Sequence, residues 1–442
     1  MIRRVAVFLL LISSCAAQDM VHRMEQVIQH FTDNKQFMGT VLVARDGTVL
    51  LDKGYGSANL EWDIPNVPSA KFRLGSVTKQ FTAACILLLE ERGKLKLDVP
   101  VKSYLPDAPP TWDKVTIFNL LTHTSGIPSF TEFPDYSATQ ATPTTPEKLV
   151  ARFRDKPLGF QPGEKWEYSN SGYVLLGYLV EKVSGQSYSQ FVQDNVFTPL
   201  GMKDSGYDSN AIVLWHRASG YTLEGGKLVN ANYVSMSIPF SAGALYSTTE
   251  DLLRWEQGLM GGKLLSPASL QKMITPYQHD YALGVAVQTE NGRKVIRHGG
   301  GIEGFNTELD YYPDDKLAVV VLANLNGNAP GDIAKKLAAV VHGEPATFTS
   351  EQKEISIPVA VLAKYVGTYQ IQPGVDVAMT LEGGQLMTQL TGQPKFPVYA
   401  ESETKFFLKV VEAEVEFFTD NNGEATYLVI HQGGQDVKAI KK

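Results

Sequence analysis

The chain has 442 residues, 43% of them hydrophobic and 20% charged, the balance of a soluble globular protein long enough for two folded units. A formal net charge of −7 and the lack of a dense basic stripe argue against a nucleic-acid partner. With two cysteines, Cys15 and Cys85, there is no disulfide scaffold. Cys85 has no internal partner if Cys15 leaves with the leader, so core packing must stabilise the fold.

Residues 1–17 are set apart from the fold. Arg3 and Arg4 precede an apolar run over 5–12 and then small residues, the layout of a secretory signal peptide, so the protein is expected to be exported, to a bacterial periplasm or cell surface. The run is too short to span a membrane, and no later segment reaches the roughly 20 apolar residues required. Ile12-Ser13-Ser14-Cys15 is similar to a bacterial lipobox. Lipidation at Cys15 is one reading, and cleavage after Ala16 or Ala17 is the other.

Residues 40–44 and 48–51 read as strands joined at Asp46-Gly47, a hairpin signal. At Gly75-Ser76 an extended segment enters a helix. Phe81, Ala84, Cys85, Leu88 and Leu89 then recur at helical spacing until Gly93 offers a cap. Residues 97–276 are mostly helical or irregular, with Pro146 starting a helix after Thr145, a helix over 173–183 stopped by Gly185, and another over 187–197. Strands return at 281–288, at 294–297 after an Asn291-Gly292 turn, and at 307–312 and 317–323 around Pro313-Asp314-Asp315. A helix over 333–341 closes the unit. Sheet and helix at both ends with helices between predict an α+β unit: an antiparallel sheet flanked by helices, a mostly helical lobe, and a cleft between them.

This unit is assigned residues 18–345, with a linker at 346–360 containing Thr347 and Ser350. Residues 361–442 change texture to short alternating segments at 365–370, 375–381, 385–390, 405–410, 415–419 and 425–431, separated by Gly383-Gly384, Asn421-Asn422-Gly423 and Gly433-Gly434. That pattern predicts a sandwich or small barrel.

Three motifs carry chemistry. Ser76 and Lys79 lie one helical turn apart, on one face, at the positive end of the helix dipole. A hydroxyl there becomes a nucleophile once a base takes its proton, and a buried lysine with a lowered pKa can be that base. The spacing alone is weak, since it recurs at Ser269/Lys272, Ser350/Lys353 and Ser402/Lys405, and the plainer reading is a helix cap beside a solvated lysine. Tyr168-Ser169-Asn170 precedes a helix. A tyrosine whose pKa is lowered by nearby cations can shuttle a proton, and an asparagine amide can orient a carbonyl; otherwise the segment is a turn. His298-Gly299-Gly300-Gly301 ends a strand. Its glycines would let a substrate backbone approach the edge, where an N–H could meet an oxyanion alongside that of Ser76. His298 would bind a carboxylate or assist proton transfer, and it has no metal-ligand partners at a suitable spacing.

In this order the three motifs resemble the serine β-lactamase and penicillin-binding-protein superfamily, most of all its class C-like branch of D-aminopeptidases, DD-carboxypeptidases and esterases. Leu120-Leu121-Thr122-His123-Thr124-Ser125-Gly126 is a further stretch typical of the group, and the resemblance covers roughly residues 25–342. Tyr365-Val366-Gly367-Thr368-Tyr369 and Phe406-Phe407 resemble the lipocalin-like domain appended to some members. The resemblance implies Ser76, Lys79 and Tyr168 as catalytic residues. Asn170, His298, Gly300 and Gly301 would bind a small-molecule or peptide substrate, with no cofactor and no metal. Cell-wall-like D-amino-acid peptides and oligomer formation are compatible with it. His298 stands where antibiotic-destroying members carry lysine, which turns the expectation toward a peptidase or esterase. A Ser-His-Asp hydrolase is the enzymatic rival, but no Gly-x-Ser-x-Gly elbow occurs. The rival of another class is a penicillin-recognising sensor that acylates without efficient turnover.

Overall fold

The computed structural model describes residues 2–346, 348, 352–420, 423–432 and 435–442, with the side chains of 2–17 and 435 left aside. Thr347 and Ser350 of the expected linker, the Asn421-Asn422 and Gly433-Gly434 turns, and the Cys15 side chain with the rest of the leader's lie outside the described residues. The chain divides into two compact units, 1–330 and 331–442, so the linker expected at 346–360 falls inside the second.

The first unit is built on a six-stranded antiparallel sheet ordered Ala286–Glu290, Arg293–Ile302, Phe305–Tyr312, Leu317–Ala323, Gly39–Arg45, Thr48–Tyr55. Strands far apart in sequence meet within it, where Gly39 pairs with Ala323 and Arg45 with Leu317. Two of its turns are the hairpins expected from sequence. Asp46 and Gly47 have φ of 46° and 80°, and Asn291 and Gly292 have 47° and 77°. Both residues of such a turn need positive φ, which is why Asp-Gly and Asn-Gly occupy them. Leu317–Ala323 is buried on both faces and reads as an unbroken apolar run. Helix Thr249–Met260 packs against it and against Gly39–Arg45.

The helical lobe holds Thr78–Glu91 and Asn170–Ser184 against each other, and Phe81, Leu120, Tyr173, Leu176 and Trp255 belong to one buried cluster. Gly185 stops the second helix at φ 75°, and Thr145 caps Pro146–Arg154. The strand expected at 281–288 begins only at Ala286. Gly284 stands at φ 78°, and a Cβ there would lie 2.7 Å from Lys79 O, so the chain turns to clear the helix carrying Lys79. The helix expected over 187–197 splits into Tyr188–Val192 and a wider π turn, Gln193–Phe197. Residues 2–33 form one helix, of which Met24, Val27, Ile28 and Phe31 are buried. Among the described residues no helix is long and apolar enough to cross a membrane.

The second unit carries a nine-stranded sheet. Its edges, Phe396–Pro397 and Tyr399–Ala400, are joined by Val398 alone, so the sheet nearly closes into a barrel. All six expected strands are present, with Gln435–Lys441 added between Ala425–Gln432 and Gly367–Gln372. Tyr365, Tyr369, Phe406 and Phe417 fill its core, with Tyr365 stacked on Phe417 at 4.3 Å.

Candidate active site

Ser76 is placed by backbone packing on both sides. Strand Phe72–Arg73 pairs with Leu245–Ser247, then the chain tightens into a 3₁₀ turn at Gly75–Val77 and opens into helix Thr78–Glu91. Gly75 has φ 53°, and a Cβ on it would come 2.8 Å from Gly301 N. A Cβ on Gly300 would come 2.0 Å from Leu74 O. Glycine at 75 and 300 is therefore what lets the strand edge lie directly on the serine turn. A cleft of about 440 Å³ opens there, lined by Ser76, Asn170, Gly301, Glu303 and Asn306 among others.

The helix-cap reading of Ser76 fails, because neither the 3₁₀ turn nor the helix has a side-chain cap bond at its start. Its hydroxyl instead lies 3.0 Å from Lys79 Nζ and accepts a 2.7 Å bond from Tyr168 Oη. Lys79 is fully buried, and burial drives its pKa well below the ordinary lysine value. A neutral amine has two N–H bonds and one lone pair. Asn170 Oδ1 and Ala242 O, each at 2.9 Å, are pure acceptors and take the two N–H bonds. Nζ also donates to Ser76 Oγ, and once the amine gives up a proton its lone pair faces that hydroxyl and can accept from it.

Tyr168 departs from expectation in its electrostatics. Lys79 Nζ sits 4.8 Å from its ring centroid, yet it is not among the causes that shift this phenol's pKa. Burial raises the Tyr168 pKa, against a smaller lowering by the Ser76 hydrogen bond, so the group is a phenol that donates. Asn170 is held at both ends: Oδ1 takes the Lys79 proton and Nδ2 donates to Thr131 Oγ1 at 3.1 Å.

His123 had no role assigned from sequence, although its stretch was singled out. It grips the Tyr168 loop on both sides, taking Glu167 N–H on its carbonyl at 2.9 Å and Ser169 N–H on Nδ1 at 3.1 Å. Its ring lies under that of Tyr168, with centroids 4.4 Å apart. Burial, the largest cause, pushes its pKa well below 6.5, and since Nδ1 accepts from Ser169 N–H the neutral ring carries its proton on Nε2.

His298, expected to bind a substrate carboxylate or assist proton transfer, is largely buried. It is 8% exposed and is not among the cleft-lining residues, and burial, the largest cause, lowers its pKa to about 4. Nδ1 lies 2.6 Å from Gly299 O, an obligate acceptor, so the proton is on Nδ1 and Nε2 accepts from Tyr281 Oη at 3.0 Å. Tyr281 packs on His123 at 4.8 Å, so His298 supports Tyr168 from below through two rings. Of the other Ser-x-x-Lys matches, Ser269 and Lys272 share helix Pro267–Met273, where Lys272 pairs with Glu90 at 2.9 Å. Among the described residues no cluster of three His, Cys, Asp or Glu side chains forms a metal site.

Residues 24–343 match the family model described as beta-lactamase. The chain belongs to the beta-lactamase family. Residues 351–440 match a second model, described as a domain of unknown function. Penicillin-binding protein 4* of Bacillus subtilis is 30% identical, over 95% of this chain and 98% of its own. The octameric penicillin-binding protein homologue from Pyrococcus abyssi is similar in structure with a TM-score of 0.68 at 26% identity, over 95% of this chain and 100% of its own. A D-stereospecific amidohydrolase from a Streptomyces species gives 0.59 at 26%, over 69% and 92%. In this beta-lactamase-family serine hydrolase, no cation among the described residues lines the cleft, since Lys79 and His298 are both buried.

Proposed function

We propose that the protein is an exported serine hydrolase that forms an acyl-enzyme on amide, peptide or ester carbonyls, with D-amino-acid amides and esters preferred over β-lactams. The observation that carries this reading is the Ser76 hydroxyl held between the buried Lys79 amine at 3.0 Å and the Tyr168 phenol at 2.7 Å. Lys79 takes the proton of Ser76 as Oγ bonds to the carbonyl carbon. The N–H groups of Ser76 and Gly301 receive the oxyanion, and Asn170 orients the acyl group. Tyr168 protonates the leaving nitrogen or oxygen and recovers its proton from Lys79. Water enters by the reverse relay and frees Ser76. The cation-free cleft supports substrates without a carboxylate, and the likeness to a D-stereospecific amidohydrolase supports the amide class.

A screen of D-alaninamide, a p-nitrophenyl ester and a chromogenic cephalosporin tests the reading, and amide or ester turnover exceeding cephalosporin turnover is expected. The penicillin-binding relative supports a second reading, in which a β-lactam acylates Ser76 and stays. A burst of one equivalent without steady turnover on every substrate would select it. Export rests on Arg3-Arg4 and the apolar run, and the N-terminus of the mature protein decides between a lipid-bearing Cys15 and cleavage after Ala16 or Ala17.

A further inference from the structure

Glu303 is the one formally charged side chain lining the cleft beside Ser76. It opens the two-residue turn between strands Arg293–Ile302 and Phe305–Tyr312, where Ile302 pairs with Phe305. That turn is fixed. Gly304 stands at φ 81°, its N–H donates to Asn326 Oδ1 at 2.7 Å, and a Cβ on it would lie 2.5 Å from Gly220 Cα. Glu303 follows Gly301 by two residues, so their Cα atoms are roughly 6–7 Å apart, and Gly301 rests on the serine turn.

Nothing among the described residues neutralises this carboxyl group. Among those residues none forms an ion pair or a hydrogen bond with it. Arg152, which sits over the Phe130 ring and is not a lining residue, is paired with Asp135 at 3.1 Å. Glu303 acts on the opposite wall of the cleft: after burial, it is the next cause raising the Tyr136 hydroxyl to about 12. An acid facing a cleft that contains a nucleophile and no cation repels carboxylates and attracts ammonium groups.

We propose that Glu303 anchors a protonated amine of the substrate, so that the cleft selects amides, esters and short peptides carrying a free amino group a few bonds from the scissile carbonyl. This deepens the hydrolase reading and rests on it. A charge-assisted hydrogen bond of this kind discriminates by about tenfold or more.

The test compares kcat/KM for D-alanine p-nitroanilide with that for its N-acetyl and N-succinyl derivatives. The wild type is expected to favour the free amine at least tenfold over the acetylated compound and more over the succinylated one. Glu303→Gln is expected to reduce the first ratio at least tenfold, and Glu303→Lys to turn the preference toward the succinylated compound. A wild-type ratio near one, or ratios indifferent to both substitutions, would overturn the assignment. Titration of Ser76→Ala with the same three compounds reads the preference as Kd without turnover. If no compound is hydrolysed by the wild type, the hydrolase reading fails while that titration still decides the amine site: equal or absent binding of the free amine overturns it.

Discussion

Lys79 and Ser76 were legible as a pair because one helical turn separates them, but what makes them reactive is the burial of Lys79 among contacts far along the chain. Asn170 and Ala242 take its two N–H bonds. Lys79→Arg keeps a cation that cannot lose its proton, so kcat/KM is expected to fall by about 10²–10⁴, measured with a p-nitrophenyl ester. In the wild type the amine accepts a proton as pH falls through its lowered pKa, and activity is lost there. That acidic limb should lie far below the ordinary lysine range, and a limb near pH 10 would contradict Lys79 as the base. His298 shows the opposite case: its position was legible and its charge was not. Folded, it titrates at about 4, whereas unfolded it takes a proton near 6.5. The unfolded chain therefore binds more protons between these values, and stability is lost as pH falls from 6.5 toward 4, by about 2–3 kcal/mol. Urea unfolding of wild type against His298→Gln should show their difference shrinking by that amount between pH 7 and pH 4. A pH-independent difference would mean that His298 is not buried as a neutral ring.

Among the elements, the strand 293–302 and the serine turn meet through atoms rather than side chains. Gly300→Ala would set a Cβ 2.0 Å from Leu74 O and 2.4 Å from Thr307 Oγ1. The strand must retreat from Ser76, so overpacking of about 1–3 kcal/mol is expected, together with a larger loss of kcat/KM than stability alone explains. An active, equally stable variant would show that this contact does not set the oxyanion position. Hairpins were the most readable elements, since Asp46-Gly47 and Asn291-Gly292 announce positive φ within two residues. The break at Gly284 was not readable, because it answers to Lys79 O, some 200 residues earlier in the chain. Tyr168 and Asn170 were identified only through the resemblance of the three motifs, for a Tyr-Ser-Asn segment alone is a turn. His123 stood in view inside its stretch, yet its hold on residues 167 and 169 depends on tertiary packing that no local pattern encodes. Glu303 carried no signal at all, being an ordinary acid in a turn until the cleft closes around it.

At the scale of the whole molecule, the family match runs to residue 343 while the compact units divide at 330. A chain ending at residue 345 is expected to remain soluble and to retain ester hydrolysis, whereas one ending at 330 loses the rest of helix Ala329–His342 and is expected to aggregate. Insolubility of the longer fragment would assign the barrel a structural part in the first unit. All of these expectations depend on one nucleophile. Labelling of the full-length protein with a fluorophosphonate probe, followed by mass spectrometry of the modified peptide, tests it most directly. The account predicts one equivalent on Ser76, slow labelling of Lys79→Arg, and a folded, inactive and unlabelled Ser76→Ala. Modification of any other residue, or hydrolysis by Ser76→Ala at the wild-type rate, would contradict it.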